Sequence, residues 1–153
     1  MNLNEASKIL LNGILFTLLI ILSNSCQKNN LDRNPYLQEF EFEYSVNLNL
    51  PQYDNIKYAG GSALIPQLGI KGVYLFNLSG NSFFAWEASC PNHNPNNCSQ
   101  MKNIGVLIQC ECEDFKYSLA TGQLIDKTTE PKKYYPLLNY PVKKIGSNLI
   151  ISN

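Results

Sequence analysis

Alternating apolar and polar positions give the clearest structural signal of this chain, over residues 40–50. Aromatic or aliphatic side chains occupy every second position of this segment, and Glu, Ser or Asn residues lie between them. A period of two residues is typical of a β-strand with one buried face. Pro51 ends the pattern, because proline has no N–H to donate to a strand ladder. The segment therefore predicts a long strand.

Short apolar segments separated by turn-forming residues predict the remaining strands. Two pairs of these segments are joined by Gly-containing turns, which are typical of hairpins. The predicted strands cover residues 73–76, 83–86, 105–110, 117–119, 140–145 and 149–151, and residues 126–133 are expected to form a loop. No segment after residue 26 has the 3.6-residue apolar period of a helix. Short strands with frequent turns indicate an all-β fold, as a small antiparallel sandwich or barrel.

A different apolar pattern occupies the N-terminus, where residues 9–22 are almost continuously apolar and follow Lys8. A helix over this run would span about 21 Å, which is less than the roughly 30 Å hydrocarbon core of a bilayer. The run therefore predicts the apolar region of a signal peptide rather than a membrane span. The sequence Leu22-Ser23-Asn24-Ser25-Cys26 follows and resembles a bacterial lipobox, in which the peptide is cut before the Cys and the Cys receives lipid.

The lipobox resemblance implies a division of the chain into three parts. We expect a lipoprotein signal peptide over residues 1–25, a polar tether over residues 26–35 that begins with the lipidated Cys26, and one folded domain over residues 36–153. Several acyl chains on one Cys would hold the exported domain stably on a bacterial membrane in the cell envelope. Ordinary signal cleavage and an uncleaved anchor are the alternatives for this segment.

Composition narrows the classes of partner. The 12 Lys and Arg residues are balanced by 12 Asp and Glu residues, so no positive excess is available to neutralise phosphates, and we expect no nucleic-acid binding. The expected partners are the membrane, through the lipid anchor, and an envelope protein.

The chain has five Cys and one His. With Cys26 assigned to the lipid, four cysteines remain in a compartment that permits disulfides.

These four cysteines lie in two short segments, at Cys90 and Cys98 and at Cys110 and Cys112, on either side of one predicted strand. Together with Tyr117 and the following Thr-Gly pair, they resemble the Rieske domain family. In that family, a Cys-x-His loop and a Cys-x-x-His loop bind a [2Fe–2S] cluster through two Cys and two His. The resemblance implies a Rieske-like fold of the iron–sulfur-protein type, and more narrowly a Rieske-like lipoprotein of the Bacteroidetes lineage.

The family positions of the iron ligands fall on Cys90, Asn92, Cys110 and Glu113, so both histidines of the pattern are replaced. His93 is displaced by one position from the first of them. An Asn amide is a poor iron ligand beside an imidazole, and a Glu carboxylate is a hard, anionic one. We therefore expect the cluster site to be degenerate and the domain to carry no cofactor.

Without the cluster, the resemblance implies two disulfides. Cys98–Cys112 corresponds to the pair that bridges the two loops in many family members, and Cys90–Cys110 would form from the two ligand cysteines. One alternative is an atypical [2Fe–2S] cluster on Cys90 and Cys110, with His93 and Glu113 as partners. The other is a zinc ion held by Cys90, His93, Cys110 and Cys112.

We therefore expect a membrane-anchored, exported lipoprotein whose Rieske-like domain is a disulfide-stabilised binding or structural module. The alternative function is electron transfer through an atypical cluster. We expect no catalysis beyond that, because the hydroxylating Rieske enzymes carry a second iron-containing domain. Trp86, directly before the first cysteine loop, is expected to lie in the core.

Overall fold

Three antiparallel sheets make up the part of the chain that the computed structural model describes, residues 33–126 and 134–153. Their strand orders are β1-β11-β10, β2-β3-β4-β9 and β5-β6-β7-β8. The strands are β1 Glu43–Asn47, β2 Ser62–Ile65, β3 Val73–Asn77, β4 Phe83–Glu87, β5 Lys102–Asn103, β6 Leu107–Gln109, β7 Lys116–Ser118, β8 Leu124–Asp126, β9 Asn139–Tyr140, β10 Val142–Ile145 and β11 Asn148–Ser152. A 3-10 helix, Pro51–Lys57, lies between β1 and β2. The all-β antiparallel fold class is confirmed.

Strand β1 keeps the predicted alternation but is shorter than the predicted strand over residues 40–50. Val46 and Leu48 are buried, and Asn47 between them is exposed. The strand ends at Asn47 because its partner β11 begins there, opposite Asn148. The Asn47 side chain then accepts the Asn49 N–H at 2.9 Å and starts a turn into the 3-10 helix. Strand length is thus set by the partner strand, which alternation does not report.

Both predicted hairpins are present, β3–β4 and β10–β11. The strand predicted over residues 140–145, however, is two strands in different sheets, since β9 pairs with β4 and β10 pairs with β11. Pro141 lies between them, and its missing N–H interrupts the ladder where the chain passes from one sheet to the other. The 3-10 helix, β2, β5 and β8 were not predicted, and Asp126 of the predicted loop 126–133 belongs to β8. Residues 127–133 of that loop lie outside the described residues.

The middle sheet separates two apolar cores. Successive side chains of a strand point to opposite faces, so Val73 and Leu75 of β3 belong to one core, and Tyr74 and Phe76 belong to the other. The first core lies against β1 and β11. The second lies between the middle sheet and β6–β7, and it includes Cys90 and Cys110. The cysteine segments are therefore built on the second core.

No helix among the described residues is long and apolar enough to cross a membrane. The predicted signal peptide over residues 1–25, Cys26 and most of the predicted tether lie outside the described part of the chain.

Candidate functional site

Two loops carry the four cysteines, and each is closed at its base by backbone hydrogen bonds. The first cysteine loop, residues 90–100, connects β4 to β5, and the Cys90 N–H donates to the Ser99 carbonyl at 2.8 Å. The second cysteine loop, residues 110–115, connects β6 to β7, and the Cys110 N–H donates to the Phe115 carbonyl at 2.8 Å. Each loop therefore starts with a Cys whose backbone is fixed by the loop closure.

The four cysteines form two disulfides with the pairing that the sequence resemblance implied. The inner disulfide joins Cys90 to Cys110, and the outer disulfide joins Cys98 to Cys112. Both residues of the inner disulfide are 0% exposed, whereas both residues of the outer disulfide are partly exposed. The inner disulfide is thus a core contact between the ends of β4 and β6, and the outer one closes the loop pair near the surface.

Asn92 occupies the first histidine position of the Rieske pattern, and its amide binds protein groups. Its Nδ2 donates to the Tyr117 hydroxyl at 2.7 Å and to the Tyr135 carbonyl at 3.2 Å. Its Oδ1 accepts the Tyr135 N–H at 2.8 Å. The side chain therefore ties the first cysteine loop to β7 and to the chain segment before β9, and its polar atoms are committed to those contacts.

His93 faces the inner disulfide, although it is displaced by one position in the sequence. Its Nε2 lies 3.6 Å from the Cys110 Sγ. Its Nδ1 lies 2.8 Å from the Asn94 carbonyl, which can only accept, so Nδ1 carries the proton. In the neutral ring, Nε2 then holds the lone pair that points at the sulfur. Sequence spacing alone did not predict this orientation.

Glu113, at the second histidine position, approaches the same sulfur. Its Oε2 lies 3.6 Å from the Cys110 Sγ and 3.9 Å from the His93 Nε2. A disulfide sulfur carries no hydrogen, so the first distance is a van der Waals contact rather than a hydrogen bond. A protonated His93 would form an ion pair with Glu113 beside the disulfide.

The residues in this state do not fit a [2Fe–2S] cluster. Iron is held by thiolates in such clusters, and the sulfurs of Cys90 and Cys110 are bonded to each other. The Asn92 amide is hydrogen-bonded to the Tyr117 hydroxyl and to the Tyr135 backbone N–H. One imidazole, that of His93, and one carboxylate, that of Glu113, remain beside the sulfurs. No chemical step through a cluster follows from this arrangement.

Glu87 supports the base of the first cysteine loop, a role that the sequence pattern did not predict. This carboxylate is 0% exposed and accepts the N–H groups of Ile70, Lys71 and Ser89 at 2.8–2.9 Å. It also accepts the Tyr140 hydroxyl at 2.9 Å. Burial, followed by the neighbouring Glu87 charge, raises the pKa of Tyr140. The available signal was one acidic residue at the end of the otherwise apolar strand β4.

Trp86 lies in the second core, as predicted. It is 6% exposed, and its Nε1 donates to the Leu119 carbonyl at 2.8 Å. The ring fixes β4 against the chain that follows β7.

No family model matches the sequence, and no curated protein matches it. Solved structures do match. The Sphingomonas yanoikuyae B1 ferredoxin is 19% identical, over 63% of this chain and 88% of that chain, with a TM-score of 0.42. The oxygenase and ferredoxin complex of carbazole 1,9a-dioxygenase matches at 18% identity, over 71% of this chain and 28% of that chain, with a TM-score of 0.48.

The terminal oxygenase of carbazole 1,9a-dioxygenase from Novosphingobium sp. KA1 is 19% identical, over 61% of this chain and 26% of that chain, with a TM-score of 0.44. The chain therefore spans less than a third of the length of the oxygenase chains that it matches. The sequence identities to these structures are below 20%, and the TM-scores are below 0.5.

Proposed function

We propose that this chain is an exported lipoprotein with a Rieske-like domain in which two disulfides take the place of the iron–sulfur cluster. In this proposal it is a binding or structural module of the cell envelope rather than an electron carrier. The lipid on Cys26 holds it on the membrane, and an envelope protein is its partner. The observation that carries the proposal is the inner disulfide, which joins the two cysteines that would otherwise ligate iron.

The surroundings of the inner disulfide support the same conclusion. The buried disulfide between the ends of β4 and β6 adds a covalent link between two sheets that also pack together around the second core. In the chain-entropy model, closing a loop of about 20 residues stabilises a domain by roughly 3 kcal/mol. Asn92 adds a polar tie between the first cysteine loop and Tyr117 at the position where the cluster would need an imidazole.

Iron content and visible absorbance test the proposal. The full chain, purified without added reductant, is expected to be colourless, to contain no iron and to have no free thiol among Cys90, Cys98, Cys110 and Cys112. A matched variant restores the family's histidines through Asn92→His and Glu113→His. If the scaffold is Rieske-like, this variant, after a dithiol has reduced the inner disulfide, should take up iron during anaerobic reconstitution with iron and sulfide. A folded double variant that stays without iron would contradict the Rieske-like assignment of the loops.

The alternative function is electron transfer through an atypical cluster. The observation that favours it is the approach of His93 and Glu113, which both lie 3.6 Å from the Cys110 Sγ. Such a protein would contain iron as purified, absorb in the visible range and give an EPR signal after reduction. These three results would replace the proposed disulfide module with this alternative.

The described part of the folded domain begins beside the first cysteine loop. Asn34 donates from its Nδ2 to the Pro91 carbonyl at 2.7 Å, so the chain enters the folded domain beside the first cysteine loop.

Mass spectrometry and membrane fractionation test the anchor. Cys26→Ser should abolish the lipid mass and release the protein from the membrane fraction. Ser25→Ala keeps a small residue before the cleavage site and should leave lipidation intact. An unchanged membrane association of Cys26→Ser would point instead to an uncleaved anchor, and cleavage without added lipid would indicate an ordinary signal peptide.

A further inference from the structure

Four metal-binding side chains converge at the loop pair. The sulfurs of Cys90, Cys110 and Cys112 and a ring nitrogen of His93 all lie within 4.8 Å of one another. Cys90 and Cys110 are anchored at the loop bases by backbone hydrogen bonds. The fourth cysteine, Cys98, is not part of this group, which makes the set three sulfurs and one nitrogen.

This donor set has the composition of a structural zinc site. Zinc takes four ligands in a tetrahedron, with Zn–S bonds of about 2.3 Å and Zn–N bonds of about 2.0 Å, so the donor atoms of such a site lie about 3.5–3.8 Å apart. The His93 Nε2 and the Cys110 Sγ have that spacing, at 3.6 Å, and all four donor atoms lie within 4.8 Å of one another. The sulfurs of Cys90 and Cys110 are closer, because they are covalently bonded. A zinc site would therefore require both disulfides to be broken, the outer one to free the Cys112 thiolate, and the sulfurs of Cys90 and Cys110 to move apart.

His93 is already oriented as a ligand. A metal-binding His usually donates its other ring N–H to a carbonyl or carboxylate, which fixes the tautomer and the ring. The hydrogen bond from the His93 Nδ1 to the Asn94 carbonyl at 2.8 Å does this. The lone pair on Nε2 is left facing the Cys110 Sγ at 3.6 Å.

We propose that the reduced protein binds one zinc ion through Cys90, His93, Cys110 and Cys112, and that oxidation to the two disulfides excludes the metal. In the reductive step, each disulfide takes two electrons and two protons from a dithiol, which itself becomes a disulfide. Zinc then displaces the three protons of the ligating thiols while His93 binds as the neutral ring, and Cys98 remains a free thiol. The site is thus a second, reduced state of the same loop pair and goes beyond the disulfide module proposed above.

Metal analysis of a chain with four cysteines tests this site. The full chain with Cys26→Ser is reduced until four thiols are counted, incubated with zinc, freed of excess metal and measured by elemental analysis. We expect one zinc per reduced chain and none per oxidised chain. Cobalt in place of zinc should give the visible absorption bands of a tetrahedral cobalt ion. The intensity of its thiolate-to-cobalt charge-transfer band should correspond to three thiolate ligands. Alkylation of the zinc-loaded chain should label Cys98 alone.

Two matched cysteine variants identify the ligand. Cys98→Ser and Cys112→Ser each remove the outer disulfide and leave one thiol in its place, so they differ in which sulfur remains. Cys98→Ser should bind zinc as tightly as the parent chain. Cys112→Ser removes a ligand of the metal, so its affinity for zinc should fall by more than the roughly tenfold that loss of an outer-shell partner costs. His93→Ala should weaken binding by a similar factor. Circular dichroism establishes whether each loaded variant is folded.

Several outcomes would overturn the zinc site. These are a reduced chain that binds no zinc, equal loss of zinc in both cysteine variants, and alkylation of all four cysteines in the loaded parent chain. The alkylation result uses the parent chain alone, so it decides the question even where a variant fails to fold. None of these outcomes changes the iron measurement above, so failure of the zinc site is distinguishable from failure of the proposed function.

Discussion

At the scale of single residues, Asn92 fixes the position of the first cysteine loop. Its amide uses both nitrogen hydrogens and its oxygen on groups of Tyr117 and Tyr135. An imidazole at this position could not reproduce three such bonds in the same plane. Asn92 therefore holds the first cysteine loop to its neighbours.

Replacing Asn92 with Ala should lower the free energy of unfolding by about 2 kcal/mol, because partly buried partners lose their hydrogen bonds. Urea denaturation, followed by the fluorescence of Trp86, measures this change. Asn94→Ala is the control, since the Asn94 side chain is exposed and only its backbone carbonyl binds His93. A surface change of this kind should stay within about 0.5 kcal/mol. Equal effects of the two substitutions would contradict a structural role for the Asn92 amide.

The tyrosines of the two cores predict a loss of stability at alkaline pH. Burial raises the pKa of Tyr74, Tyr117 and Tyr140, and the Glu87 carboxylate raises that of Tyr140 further. In the unfolded chain, a tyrosine loses its proton near pH 10. Above that pH the folded chain binds more protons than the unfolded chain, so the free energy of unfolding falls as pH rises.

Tyr140→Phe should therefore reduce the slope of stability against pH between about pH 9 and pH 11, by up to about 1.4 kcal/mol per pH unit. It should also cost stability at neutral pH, because the Glu87 carboxylate loses one of its four donors. Denaturation curves at several pH values measure both effects. Tyr58→Phe should leave the slope unchanged, because Tyr58 is 75% exposed. A slope that Tyr140→Phe does not alter would assign the alkaline transition to other groups.

At the scale of elements, the turn after β7 is fitted to the Trp86 ring. Gly122 has a φ of +72°, and a Cβ there would lie 2.6 Å from the Trp86 Cζ3. The ring cannot easily move away from this position, because its Nε1 donates a hydrogen bond to the Leu119 carbonyl. The glycine is therefore required both for its backbone conformation and for the space that the indole occupies.

Gly122→Ala should destabilise the domain by about 3 kcal/mol, from backbone strain of about 1–2 kcal/mol and overpacking of about 1–3 kcal/mol. The control is Gly80→Ala, because Gly80 has a similar φ of +82° and no atom within 4 Å of the added Cβ. Gly80→Ala should therefore lose only the stability that corresponds to backbone strain. Thermal denaturation followed by circular dichroism compares the two variants. Equal losses would mean that the turn tolerates the Trp86 contact.

Alternation and turn residues were sufficient to predict the all-β fold, both hairpins and the burial of Trp86. They could not predict where β1 ends, because β11 sets that limit. Nor could they predict that Pro141 divides the strand expected over residues 140–145 between two sheets. The cysteine pairing could be expected from a family resemblance. The approach of His93 to Cys110 could not be predicted in this way, because the direction of a loop side chain depends on backbone torsions that residue spacing does not encode.

At the scale of the whole molecule, the two disulfides cross-link the middle sheet and the β5–β8 sheet at their shared core. The inner one connects Cys90 after β4 with Cys110 after β6, and both residues are 0% exposed. The outer one connects the two cysteine loops nearer the surface. Because thiol–disulfide exchange requires a thiolate to reach a sulfur, the two bonds should differ in reactivity although they lie side by side.

A limiting amount of dithiol should therefore reduce the outer disulfide first. Under native conditions, alkylation followed by peptide mass spectrometry should place the first labels on Cys98 and Cys112. Labels on Cys90 and Cys110 should appear at the slower rate at which the second core opens. In denaturing urea, where burial is lost, both pairs should react at similar rates, which provides the control. Early labelling of Cys90 under native conditions would show that the inner bond is open to solvent thiols and would remove the basis for treating it as a core contact.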